Sequence, residues 1–513
     1  YPPHENRVDG LTLVDTVSPY RAVEFKAITD FYNDQVIEHE ISGSDAFGNI
    51  LLCGDELRQN GLFILQEAPT SGERRDQDPY DFRFDGKFIA SCGCGFCPWD
   101  YQENHEMTGF RHTIGFFQND FEQPLKEYQQ VRFPDCDYQV MANPWAVNDF
   151  PSRVSEQFLL DEINAAARLG ATEYQIDDGW QKTRVLTVMN AFNEYPELSD
   201  WEVHPELLPN GLQSLVEAAQ AAGIELALWV APTFTREYRD WREFADMLYG
   251  FYQKFNIKIF KIDSVRLRSR EAYENFHNMI HSLRERSGGD IVFNFDTTNG
   301  QRTGYFTFLE YGNVFLENRY VNRQWGLGYH PESTLHNIWQ LSRYSRLQKF
   351  QVEVPDPGRI NRDFYVNSEI HRSAPDVYPP EYWAAVAMFA NPLLWLGASE
   401  LSPETMSVYR RIIDLHLAHR DEIFKGIICP IGDQPDGKSI TGFQSRNGDC
   451  GYVIVYRELD APAEAELKLC GLNDFVLESL SDTSAAITGQ GGVFKVHLPE
   501  PASFRMYKYC VRK

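Results

Sequence analysis

The sequence predicts an α/β chain: a (β/α)8 TIM barrel flanked by an N-terminal β-sandwich-like domain and a small C-terminal β-sandwich. Three observations lead there. Eight short apolar runs alternate with amphipathic stretches from about residue 135 to about residue 423. No long helical periodicity precedes them. After residue 424 strand-like runs return, separated by turn residues. The expected division is therefore 1–134, 135–423 and 424–513, and 513 residues hold a barrel of about 250 residues with accessory modules.

In the first segment, Gly61–Gln66 (GLFILQ) and Lys87–Ala90 (KFIA) read as short strands between Gly, Pro, Asn and Asp, and the polar run Thr70–Phe82 reads as an exposed loop. The barrel strands are expected at Tyr138–Ala142, Glu173–Ile176, Glu225–Trp229, Lys258–Phe260, Asp290–Phe293, Val314–Leu316, Phe350–Val352 and Pro392–Trp395. Ser155–Leu169 (SEQFLLDEINAAARL) shows apolar residues at helical spacing with a glycine just after, a helix with its stop signal. No G-x-G-x-x-G follows a strand, which argues against a dinucleotide-binding doubly wound sheet. Tyr452–Tyr456, Ala465–Leu469 and Val493–Leu498 are the strands of the last segment.

Composition narrows the function classes. With 43 % hydrophobic and 24 % charged residues the chain is globular rather than disordered, and no run of about 18 apolar residues offers a membrane span. A net charge of −26 repels phosphate backbones, so nucleic acid is not an expected partner. The 35 Phe, 26 Tyr and 10 Trp serve the core, and a minority are expected against a ligand, since aromatic faces suit sugar rings. Nine cysteines cannot all pair within the chain; free or partly paired thiols are the default, with Cys92, Cys94 and Cys97 an incomplete metal-binding pattern. The chain begins at Tyr1 rather than Met, so the compartment stays open between cytoplasmic and, after removal of a signal peptide, periplasmic or secreted.

In such barrels the reacting groups lie at the C-terminal ends of the strands. Strand two ends in Asp177-Asp178-Gly179-Trp180, strand four in Lys261-Ile262-Asp263, strand five in Asp296 followed by a loop with Asn299 and Arg302, and strand six in Glu317-Asn318-Arg319. Trp145, Trp180, Trp229 and Trp395 fall at comparable points. Carboxylates without a histidine cluster point to glycoside chemistry, in which one carboxylate attacks and a second carboxyl acts as acid and then base, rather than to a metal. Blander roles compete: Asp263 as a helix N-cap, one of Asp177 and Asp178 as a backbone cap, Glu317 as a salt-bridge partner of Arg319. Lys261, two residues before Asp263, faces the same side and is expected to keep that acid ionised.

These residues resemble the α-galactosidases of glycoside hydrolase family 36 and, more distantly, family 27. The resemblance runs through about residues 135–400, on Tyr174–Trp180 (YQIDDGW), Leu208–Leu212 (LPNGL), Gly223–Trp229 (GIELALW) and Phe260–Asp263 (FKID). It implies Asp263 as the nucleophile, Asp177 and Asp178 as ligands of the galactose O4 and O6 region, Trp229 as the stacking residue and Lys261 as a sugar contact. Two departures stand out. The family's strand-five loop C-S-S-G-G-G-R is here Asp296–Arg302 (DTTNGQR), and its acid/base aspartate in a W-x-S-D context is replaced by Phe315–Arg319 (FLENR). Glu317 is therefore the acid/base by position and chemistry, with Asp296 in reserve; Trp145, Trp180, Asn299, Arg302 and Arg319 complete the expected substrate-binding set.

The expected activity is that of a retaining exo-acting hydrolase releasing terminal α-linked galactose, on a glycoside or oligosaccharide partner, with no cofactor. An α-N-acetylgalactosaminidase, a β-L-arabinopyranosidase and a non-catalytic carbohydrate-binding barrel are the alternatives. A homo-oligomer is compatible with the sequence.

Overall fold

The computed structural model describes residues 20–25, 36–40, 44–54, 60–67, 80–84, 89–91, 110–134, 137–146, 153–183, 197–267, 269–296, 306, 308–316, 319–322, 326–358 and 377–512; within 20–25, 319–322 and 326–329 it describes the backbone only, as it does at 37, 39 and 40. The cysteines of the 92–97 cluster lie outside these residues.

A five-stranded antiparallel sheet leads, in the order Val36–Glu40, Tyr20–Phe25, Ile50–Gly54, Asn60–Gln66, His112–Gln118. A small sheet of Asp45–Ala46, Phe82–Phe84 and Ile89–Ser91 accompanies it. The two-residue period of a strand divides the side chains between two cores: Leu51, Cys53, Leu62 and Ile64 meet Ala46 and Phe82, while Ile50, Leu52, Phe63 and Leu65 join the core that extends into the barrel. The expected exposed loop at Thr70–Phe82 is corrected at its end. Tyr80, Asp81 and Phe82 are buried, and Asp81 accepts the Gly48 N–H at 2.8 Å.

Eight parallel strands then close a barrel: β1 (Met141–Asn143), β2 (Glu173–Ile176), β3 (Glu225–Val230), β4 (Ile259–Ile262), β5 (Val292–Asp296), β6 (Gly312–Leu316), β7 (Phe350–Pro355) and β8 (Asn391–Trp395), the last pairing with the first. β1 starts later than the expected Tyr138 because the Val140 N–H is taken by the side chains of Thr172 (2.9 Å) and Glu173 (3.1 Å) instead of a ladder carbonyl. Helix Glu156–Leu169 forms where its sequence signals lie. Ser155 accepts the Phe158 N–H, Leu159, Ile163, Ala166 and Leu169 turn one buried face to the strands, and Gly170 stops it at φ 98°.

The barrel interior mixes an apolar cluster (Met141, Ala227, Ile259, Phe315, Leu393, Trp395) with buried amides. Each amide needs a partner at that depth: Gln351 donates to Gln139 at 3.1 Å, and Asn143 donates to Gln175 at 2.7 Å. Helix Pro403–Lys425 leads into a six-stranded antiparallel sheet (Ile427–Gly432, Ile440–Asn447, Cys450–Arg457, Ser503–Val511, Phe475–Ser479, Ile487–Gly489, in spatial order), with the pair Glu464–Lys468 and Val493–His497 closing its own core. Cys450 and Cys510 stand directly opposite in this sheet and form a disulfide; Cys53, Cys429 and Cys470 are free. Among the described residues no helix is long and apolar enough to cross a membrane.

Candidate active site

The carboxylates gather at the C-terminal rim of β2, β4 and β5. Past Ile176 the chain turns sharply through Asp177–Trp180, with Gly179 at φ 131°, a conformation that a side chain would strain. Asp177 and Asp178 diverge, as neighbours on a strand do. Asp177 accepts from Asn143 Nδ2 at 2.7 Å, from Lys261 Nζ at 3.3 Å and from the Asp178 N–H at 2.9 Å. Asp178 accepts from Gln181 Nε2, and the same Gln181 side chain accepts the Gly179 N–H at 3.0 Å, which clamps the turn.

Lys261, near the end of β4, sends its ammonium to the middle of the barrel. It lies 3.3 Å from Asp177 and 3.2 Å from Asp296, and 4.8 Å from the ring centres of both Phe315 and Trp395. Burial opposes a charge there, but Asp177, Asp296 and Asp263 outweigh it and hold the lysine protonated well above its usual range. Asp263 sits one layer farther out and is half-buried, whereas Asp177, Asp178, Lys261 and Asp296 are buried. Its backbone N–H still bonds Val230 across the ladder at 2.9 Å. Its carboxylate accepts the indole N–H of Trp229 at 3.0 Å and the N–H of Ser264, whose backbone adopts φ 58° to offer it.

Lys261 lowers the Asp263 carboxyl, as its spacing implies, but two of its N–H donors serve Asp177 and Asp296, and the balance pushes Asp263 up from the ordinary aspartate range. Burial contributes most and the Asp296 charge next, against the lysine and the Trp229 bond. The tryptophans lie at different depths. Trp180 is fully buried between Trp201 and Phe251 and donates its N–H to the Trp229 carbonyl at 2.9 Å. Trp229 is only 4 % exposed, with Trp201 at 6.0 Å, and its indole N–H holds Asp263. Trp145 is half-buried above the inner cluster, its backbone N–H on Asn143 Oδ1 at 2.9 Å, and Trp395 lies in the floor under Lys261.

Asp296 ends β5 beside Asp263, since Ile262 is in register with Phe295. Glu317, Asn299 and Arg302 lie outside the described residues, and Arg319 is described only as backbone, at the start of a hairpin with Gly326–Tyr329. The sequence reading missed Asn143, Gln175 and Gln181. The only signal was a polar residue at or just past a strand end, weaker than a charge in the same place. Among the described residues no three His, Cys, Asp or Glu side chains converge to hold a metal.

The melibiase family model matches residues 111–252, which contain β1 to β3 and the Asp177–Asp178 turn. Over 220 residues the chain is 28 % identical to α-galactosidase AgaA of Geobacillus stearothermophilus, a match covering 37 % of this chain and 29 % of that enzyme. The crystal structure of AgaA, a family 36 α-galactosidase, superposes with a TM-score of 0.70 at 15 % identity, over 96 % of this chain and 75 % of that one. A doubly substituted AgaA crystallised in complex with raffinose gives the same TM-score at 14 % identity and the same coverage. The aligned sequence thus spans under a third of the curated relative's length, and the superposition three quarters of the solved chain.

Proposed function

We propose that this chain is an α-galactosidase of the melibiase family, glycoside hydrolase family 36: a retaining, exo-acting hydrolase that releases terminal α-linked galactose from galactosides such as raffinose. The observation that carries the proposal is the half-buried carboxylate of Asp263 at the rim, fixed by two N–H donors above the Lys261–Asp177 pair.

In this reading Asp263 attacks the anomeric carbon as the glycosidic bond breaks, and a galactosyl-enzyme ester forms. A second carboxyl protonates the leaving oxygen and then takes a proton from the water that releases galactose. Glu317, the residue after β6, is proposed for that role. The bonds from Trp229 and Ser264 fix one orientation of the attacking carboxylate, so little reorganisation precedes attack. Asp177 and Asp178 are proposed to accept bonds from sugar hydroxyls. A buried carboxylate left without its hydroxyl is costly, which gives such a pair its discrimination among epimers.

The test is hydrolysis of a panel of nitrophenyl glycosides and of raffinose by the wild type, Asp263→Asn and Glu317→Gln. Cleavage of the α-galactoside with retention at C1, and loss on the order of 10³-fold or more in Asp263→Asn, are expected. Full turnover by Asp263→Asn, or inversion at C1, overturns the assignment.

A further inference from the structure

Asp296 is an additional buried carboxylate at the heart of the site. Residues 263 and 296 leave neighbouring parallel strands in register, which separates their backbones by about 5 Å. Among the described residues, the largest charges acting on Asp263 are Asp296 from β5, Lys261 from its own strand and Asp177 from β2, with the Trp229 N–H from β3; Asp178 is turned toward Gln181. An ammonium has three donors. Lys261 lies 3.2 Å from Asp296 and 3.3 Å from Asp177, so two of the three are engaged by carboxylates other than Asp263.

We propose that Asp296 is a positioning residue that sets the pH at which Asp263 becomes a competent nucleophile, by its own charge and by drawing on Lys261. The inference rests on the reading of Asp263 as the nucleophile. The two effects have the same sign. A negative charge one strand away disfavours a second one on Asp263, and the lysine that would offset it is shared with two other buried acids. Burial of Asp263 raises its carboxyl in the same direction, so Asp296 adds to an existing bias. Removing the Asp296 charge both lifts the repulsion and returns lysine charge to Asp263.

The test is the pH dependence of kcat/KM on a nitrophenyl α-galactoside for the wild type, Asp296→Asn, Asp296→Ser and Asp296→Glu. The acid limb reports the free-enzyme nucleophile. In both neutral variants it moves to lower pH by about one unit or more, and in Asp296→Glu it stays within a few tenths of a unit of the wild type. An acid limb that stays in place or rises in the neutral variants overturns the inference. So does a lost basic limb with azide rescue, which would make Asp296 the acid/base itself. A second readout needs no turnover: a cycle of unfolding free energies over the wild type, Asp263→Asn, Asp296→Asn and the double variant. Repulsive coupling that is present at pH 8 and weaker at pH 5 supports the proposal, and equal coupling at both overturns it. If the wild type leaves every α-galactoside intact while this coupling is present, the substrate reading fails and the charge relation stands.

Discussion

Glu173 opens β2 at the end of the barrel away from the rim, and its replacement by glutamine tests how the scaffold answers to pH. The side chain is buried and accepts from Thr172 Oγ1 and from the Val140 N–H. Burial pushes its carboxyl from 4.5 up to about 8, against the Thr172 bond and the Arg420 charge, with Glu225, its partner in the ladder, adding to the rise. The folded state therefore binds a proton that the unfolded chain releases near 4.5. The associated stability is complete below pH 4.5 and is lost as pH climbs toward 8. At 1.36 kcal/mol per pH unit, the interval from 4.5 to about 8 corresponds to about 5 kcal/mol, with about 3 kcal/mol already gone at pH 7. Glutamine keeps the acceptor oxygen and cannot ionise. Denaturant unfolding of the wild type and Glu173→Gln from pH 4 to 9 should give curves that diverge with rising pH, the variant gaining about 3 kcal/mol on the wild type by pH 7. Parallel curves would refute the reasoning, because a glutamate already ionised in the folded state gives no such slope.

Two further outcomes are expected. Trp229→Phe removes the N–H on Asp263, a bond to a charged group worth about 1.5–3 kcal/mol. It should lower kcat/KM roughly ten- to a hundredfold and move the acid limb to higher pH, opposite to the neutral Asp296 variants; an unmoved limb counts against the bond. The Cys450–Cys510 disulfide joins positions 60 residues apart, a loop whose closure is worth about 4 kcal/mol in the chain-entropy account. Cys450→Ser should lower the melting temperature of the C-terminal sheet by calorimetry while kcat, which depends on the barrel, holds.

The barrel was legible because eight apolar runs and the helical stretches between them obey different periods, and the rule about strand ends turned a list of acids into a candidate site. Lys261 and Asp263 follow from a two-residue spacing, and the opposed directions of Asp177 and Asp178 from adjacency. The balance of charges was less legible. How Lys261 divides its charge among Asp177, Asp296 and Asp263 depends on distances across the barrel, 3.2 Å to Asp296 among them, that no local pattern encodes. The surroundings of Trp180 and Trp229 were hidden for a related reason: the indole of Trp201, from the short helix Leu198–Trp201, packs near both across a long stretch of sequence. The disulfide was out of reach as well, since an odd count of nine leaves many pairings and only the sheet register sets 450 against 510.

β2 carries one of these acids at each end. At its foot Glu173 weakens the scaffold as the medium turns alkaline, and above its tip the acid cluster around Lys261 delays ionisation of Asp263 until the medium is less acidic. Conditions that ionise Asp263 therefore loosen the barrel that holds it, and the two titrations lie on opposite sides of one short barrel. A variant meant for alkaline work would be altered first at position 173, far from the acid cluster.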